Sequence, residues 1–149
     1  MAQKGRFFVA FLVYNGSMNL YFWKKQVKDT GSFGENVAME YLQKKGYRIL
    51  ERNYTNTKGR RLGELDIIAF HDGEIVFVEV KTREWEKNAP LPEESVNRKK
   101  LHRLEKIAVS YLKAKKKEST AYHFDVIAIF LDSLNEQVLE IRHLERVFL

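Results

Sequence analysis

Apolar residues recur along this chain with two periods, and the switches between them mark out its elements. Over 33–45 the spacing is helical, because Glu35, Ala38 and Leu42 share a face at i, i+3 and i+7. Ser32 with Glu35 fits the S-x-x-E capping box, and Gly46 closes the helix. Residues 47–50 read as a short strand and 53–61 as a polar, basic loop. The runs 63–70 and 74–81 are rich in β-formers and flank His71-Asp72-Gly73, which predicts a hairpin. A polar connection over 84–94 holds both prolines. The helix expected next, over 97–115, buries Leu101, Leu104, Ala108 and Leu112 and exposes Lys99, Arg103, Lys106, Lys113 and Lys117. Residues 124–131 and 138–144 read as strands around a turn at 132–136. The expected order is α-β-β-β-α-β-β, an α/β domain with helices flanking a mixed sheet.

Composition narrows the class. The 149 residues form one domain on length alone, and 44% hydrophobic with 31% charged is a globular balance. The absence of cysteine excludes disulfides, thiolate zinc sites and cysteine catalysis. No apolar run reaches the roughly 20 residues that span a bilayer, so a cytoplasmic location with no membrane partner is expected. Residues 1–29 are expected to be an extension outside the core, with Met18 as an alternative start, and 30–149 the single domain. The run Phe7 to Tyr14 only superficially imitates a secretory signal.

The net charge of +6 is unevenly placed. Residues 31–91 hold ten basic and ten acidic side chains, whereas 95–117 hold nine Lys/Arg and a single acid, Glu105. A basic helix after a carboxylate-bearing middle points to a polyanion, nucleic acid first; a merely solvated helix face is the alternative.

With Asp72 and Gly73 at the centre of the turn, His71 faces Glu74, Phe70 faces Ile75 and Ile68 faces Phe77. The same register sets Asp66 against Glu79 and Glu64 against Lys81, and all these pairs are expected on one face. Two opposed carboxylates beside apolar neighbours repel each other and resist ionisation. A hard divalent cation relieves that cost. Lys81 is placed to neutralise a carboxylate, or to meet a metal-bound water or a phosphate. A slipped register, an ordinary Glu64–Lys81 salt bridge and a purely capping Glu35 are the competing readings.

Four motifs make the resemblance specific: Gly34-Glu35-x-x-Ala38-x-x-Tyr41-Leu42, Gly46-Tyr47-x-Ile49-Leu50-x-Arg52-Asn53-Tyr54, Gly63-Glu64-Leu65-Asp66-Ile67-Ile68-Ala69 and Phe77-Val78-Glu79-Val80-Lys81-Thr82-Arg83. Together they resemble the YraN family, uncharacterised bacterial proteins with a predicted restriction-endonuclease-like fold. The resemblance runs over about 30–148. It implies the PD-(D/E)xK nuclease scheme of archaeal Holliday-junction resolvases, a mixed sheet flanked by helices. In that scheme Asp66, Glu79 and the Val80 carbonyl bind Mg²⁺ (or Mn²⁺) with Glu35 assisting, and Lys81 acts on the attacking water. Leu65 stands where the scheme has proline.

The function expected from residues and resemblance together is a nucleic-acid-binding, Mg²⁺-dependent endonuclease, with DNA, including branched DNA, as substrate class. Lys99, Lys100, Arg103 and Lys106, with Arg60, Arg61 and Arg83, would hold the phosphate backbone. Resolvases act as dimers, so a homodimer is implied in the same way. The rivals are a non-catalytic nucleic-acid-binding module with a vestigial metal site and a protein-interaction domain.

Overall fold

The described residues form a five-stranded mixed sheet with one helix on each face. The computed structural model describes residues 30–56, 59, 62–84, 98–132 and 137–147, with the side chains of 30 and 98–101 excepted. The expected 1–29 extension and most of the connection over 84–94 lie outside the described residues. The elements are α1 (Thr30–Lys44), β1 (Arg48–Tyr54), β2 (Leu65–His71), β3 (Glu74–Glu84), α2 (Arg98–Ala114), β4 (Tyr122–Asp132) and β5 (Gln137–Leu144). The strands lie side by side in chain order. All neighbours are antiparallel except β3 and β4, which are parallel. That parallel pair needs a crossover, and α2 supplies it, running back from the Glu84 end of β3 toward the Tyr122 start of β4.

Helix α1 begins at Thr30, so Ser32 is inside it and the Ser32–Glu35 capping box does not form. Burial of Phe33 and Val37 outweighs the weak helix propensity of Gly31 and Ser32. The C-terminus ends as expected: Gly46 is left-handed at φ 88, and the Tyr47 N–H bonds the Leu42 carbonyl at 3.0 Å. Strand β1 continues past the expected 47–50 to Tyr54. One side of this outer strand can face water, so the polar Glu51 and Arg52 still pair, with Ile68 and Ile67.

The two faces of the sheet have separate cores. Ile67, Ala69, Val76, Val78, Ile127 and Ile129 pack with α1 through Val37, Ala38, Tyr41 and Leu42. Ile68, Ile75, Phe77 and Phe124 pack with α2 through Leu104, Ile107, Ala108 and Leu112. Helix α2 stops at Ala114, where Lys116 turns left-handed, so Lys117 leaves the helical basic row expected for it.

At the hairpin end a buried polar network ties strands together. Asp125, 1% exposed, receives the Arg146 backbone N–H at 2.9 Å and has His143 Nε2 at the same distance. His123 bridges, with Nδ1 2.9 Å from Glu74 and Nε2 3.4 Å from Asp125. Glu74 also takes the Arg146 guanidinium. Among the described residues no helix is long and apolar enough to cross a membrane.

Candidate active site

The hairpin turns as its Asp-Gly dictates. Asp72 and Gly73 both have positive φ, 48 and 84, the two left-handed positions of a type I′ turn. The ladder pairs His71 with Glu74, Phe70 with Ile75 and Ile68 with Phe77. Two details differ from the expected register picture. His71 is on the face opposite Phe70, because adjacent side chains alternate; it stacks on Tyr47 with ring centroids 3.9 Å apart. More important, the ladder stops at Ile67–Val78, so Asp66–Glu79 and Glu64–Lys81 are not ladder pairs.

Beyond that point β3 continues on β4 alone, pairing Glu79 with Val126 and Lys81 with Ala128. The opening strand edge would strand the Val80 amide. Asp66 closes it: its Oδ2 accepts the Val80 N–H at 2.7 Å. The carboxylate therefore stands in for a β2 carbonyl, bound to the residue between Glu79 and Lys81. Lys81 Nζ donates to Glu79 Oε1 at 2.5 Å, and Glu79 is buried at 7% exposure.

Burial pushes the Asp66 carboxyl up to about 7, and repulsion from Glu79 pushes the same way. The Val80 N–H opposes this, Glu35 adds to it, and Lys81 opposes it more weakly. Glu35 reaches the cluster from α1, where its Oε2 accepts from Asn53 Nδ2 at 3.0 Å, with the Arg52 guanidinium 3.8 Å away. Thus Glu35, Asp66, Glu79 and Lys81, distant in sequence, form one electrostatically linked group where the hairpin opens.

Among the described residues, no group of three or more His, Cys, Asp or Glu is gathered to hold a metal ion. The donor chemistry nonetheless fits a hard divalent cation. The site offers carboxylate oxygens, and burial beside Glu79 makes ionisation of Asp66 costly, a cost that a cation would offset. Asp66 and Glu79, with Glu35, are the residues that would hold it.

Of the expected phosphate-binding residues, Arg103 and Lys106 are exposed on α2, and Arg83 lies half-buried two residues beyond Lys81 on β3. Lys99 and Lys100 lie in the first turn of α2. Their side chains, and Arg60 and Arg61, are outside the described residues. Sequence reasoning missed Arg52 and Asn53 as site residues. Only their place in the motif from Gly46 to Tyr54 distinguished them, because a strand carrying an Arg-Asn pair has no spacing signal for a partner on a helix.

Fold and site together define a mixed α/β domain with an acid–lysine cluster at the opening of a β-hairpin. The chain belongs to UPF0102, an uncharacterised protein family whose profile matches residues 34–129. This is the family to which the YraN-like motifs point. A UPF0102 protein of Caldicellulosiruptor bescii is 46% identical over 110 residues, 73% of this chain and 88% of that protein. One from Caldanaerobacter subterraneus subsp. tengcongensis is 38% identical over 84% of this chain and 98% of its own length. A solved XisH family protein from Nostoc punctiforme is similar at TM-score 0.34 and 18% identity, over 76% of this chain and 99% of that one.

Proposed function

We propose that this protein is a Mg²⁺-dependent endonuclease of the PD-(D/E)xK type, with a restriction-endonuclease-like core, that hydrolyses phosphodiester bonds in nucleic acid. The observation that carries the reading is the Asp66–Val80 bond. It sets Asp66 beside the Glu79-Val80-Lys81 segment where the hairpin opens. Two acids that repel, with a lysine bonded to one of them, suit binding a divalent cation and a polyanion together.

When bound, Mg²⁺ supplies a Lewis acid for the phosphate oxygens and a lower pKa for water. The chain's own residues do the rest. Asp66 and Glu79 hold the cation, with Glu35 and the Val80 carbonyl beside them. Lys81, released from Glu79, presents a positive charge to the phosphate or orients the attacking water. Arg103 and Lys106, with Lys99, Lys100, Arg60, Arg61 and Arg83, hold the backbone without reading sequence. DNA, including branched DNA, is the proposed substrate class, a homodimer the proposed assembly and the cytoplasm the proposed location.

A second reading keeps nucleic-acid binding and makes the metal site a vestige. It is favoured by the absence of a gathered metal-binding group among the described residues. Cleavage of linear and branched DNA and of RNA, with Mg²⁺ and then Mn²⁺, separates the two. Wild type should cut, whereas Glu79→Gln and Lys81→Ala purified identically should not. Equal cleavage by wild type and Glu79→Gln would sink the catalytic assignment. Nucleic-acid binding with no cleavage and no metal uptake would establish the vestige.

A further inference from the structure

Glu35 differs from the other three site residues in coming from a helix rather than the hairpin. A glutamate on a helix surface has several rotamers, so something outside α1 must aim it. The contacts that do so come from β1. Asn53 Nδ2 donates to Glu35 Oε2 at 3.0 Å, and Arg52 lies 3.8 Å from the same oxygen. Arg52 is itself fixed by donating to Asn36 Oδ1 at 2.9 Å, on the next residue of α1.

The backbone shows why an asparagine stands at this position. The register pairs Arg52 with Ile67 and Tyr54 with Leu65, which leaves Asn53 abreast of Asp66. Asn53 is left-handed there, at φ 47. That conformation penalises most side chains, and glycine and asparagine tolerate it best. Glycine would satisfy the backbone more cheaply but has no amide to reach Glu35. A second feature sets the height of α1: Gly34 lies so close to β3 that a Cβ there would meet Thr82 Oγ1 at 1.7 Å. Glu35 is thus held between a close helix–strand approach on one side and the β1 amide on the other.

We propose that Asn53 and Arg52 are positioning residues that hold the Glu35 carboxylate toward Asp66, adding a third acid to the site. This rests on the metal-dependent reading above and names the device that completes it. The half-exposed Arg52–Glu35 contact alone is weak. The Asn53 bond supplies direction, and the Arg52–Asn36 bond fixes β1 to the helix.

The test uses the full chain and Mn²⁺ titrated by calorimetry into wild type, Glu35→Gln, Asn53→Gly and the double variant. Asn53→Gly keeps the left-handed backbone and removes only the donor. Each single change should weaken Mn²⁺ binding about tenfold, Glu35→Gln by removing a carboxylate that holds the ion and Asn53→Gly by removing the partner that orients it. The double variant should bind no more weakly than Glu35→Gln, since Asn53 acts only through Glu35. Arg52→Lys should retain more affinity than Arg52→Met. If Glu35→Gln weakens binding and Asn53→Gly does not, positioning is overturned while the metal reading stands. If wild type takes up no Mn²⁺, the metal reading fails, and the contact is decided by NMR without metal. The Asn53 side-chain NH₂ resonances should then move in Glu35→Gln and stay put in a Glu40→Gln control. Unmoved resonances in Glu35→Gln would overturn the positioning.

Discussion

Asp66 accepts the Val80 N–H at 2.7 Å just past the end of the β2–β3 ladder, and the neighbours of Val80 on either side are Glu79 and Lys81. One backbone bond thereby registers three residues of the candidate site. It holds in place a carboxyl that burial and Glu79 would otherwise drive out.

The first prediction follows from the sign of that shift. Asp66 rises from 3.8 to about 7 in the fold, so the native state retains a proton that the unfolded chain releases between those values. Stability from this group therefore falls as pH rises from about 4 to 7. Asp66→Asn keeps the acceptor for Val80 and never ionises. Without metal it should be more stable than wild type at pH 8, by on the order of 1–4 kcal/mol, and nearly equal at pH 4. Urea unfolding at both pH values checks this. A difference that does not grow with pH would show that Asp66 is not held protonated. Added Mg²⁺ should stabilise wild type and not the variant.

Much of this site could be read from the sequence because hairpin chemistry is local. Asp72-Gly73 fixes a two-residue turn, the turn fixes the register, and the register brings Asp66 near Glu79. What could not be read is where pairing ends. The extra length of β3 is spent on β4, a strand more than 40 residues away, and only that long-range pairing opens the hairpin at Asp66. The capping-box reading of Glu35 failed for a similar reason, since burial of Phe33 moved the helix start and freed Glu35 for Asn53. The His123–Asp125–His143 network left no trace in periodicity, because polar residues inside an apolar strand look like interruptions until their partners are known.

The basic helix should act through charge rather than shape. Arg103 and Lys106 are exposed and lie off the Leu104–Ala108–Leu112 face. Replacing Lys99, Arg103 and Lys106 with Glu should leave unfolding within about 0.5 kcal/mol. It should also reduce the salt slope of DNA binding by about 0.9 for each phosphate that the helix no longer neutralises. Fluorescence anisotropy across a salt series measures it. A folded triple variant with unchanged affinity would place the binding surface elsewhere.

Removing the anchor of the buried network should cost far more than any surface change. Asp125 is the common partner of His143, His123 and the Arg146 amide, with almost no access to water. Asp125→Ala leaves those groups facing a cavity without their acceptor, and each buried donor left unpaired costs about 1–3 kcal/mol. Glu74→Gln, at the more exposed end, should cost less. Denaturant midpoints for the two variants test the ranking, and a smaller effect for Asp125→Ala would mean that water replaces the missing carboxylate.

The tight approach of α1 to β3 gives a prediction about the helix that carries Glu35. An added Cβ at Gly34 would lie 1.7 Å from Thr82 Oγ1 and 3.0 Å from Thr82 Cβ. Threonine cannot simply swing aside, because it is β-branched and rotation about χ1 exchanges one heavy atom for another. Gly34→Ala must therefore push α1 off β3, at the usual overpacking cost of about 1–3 kcal/mol, despite alanine's better helix propensity. Thr82→Ala alone should be mild, since Thr82 Oγ1 is buried with no hydrogen-bond partner among the described residues. Combining the two removes the nearest atom and leaves only the 3.0 Å approach to Cβ, so the double variant should recover most of the stability. Thermal unfolding of the four proteins forms the cycle. Additive losses would mean that the Thr82 side chain does not set how closely α1 sits against β3.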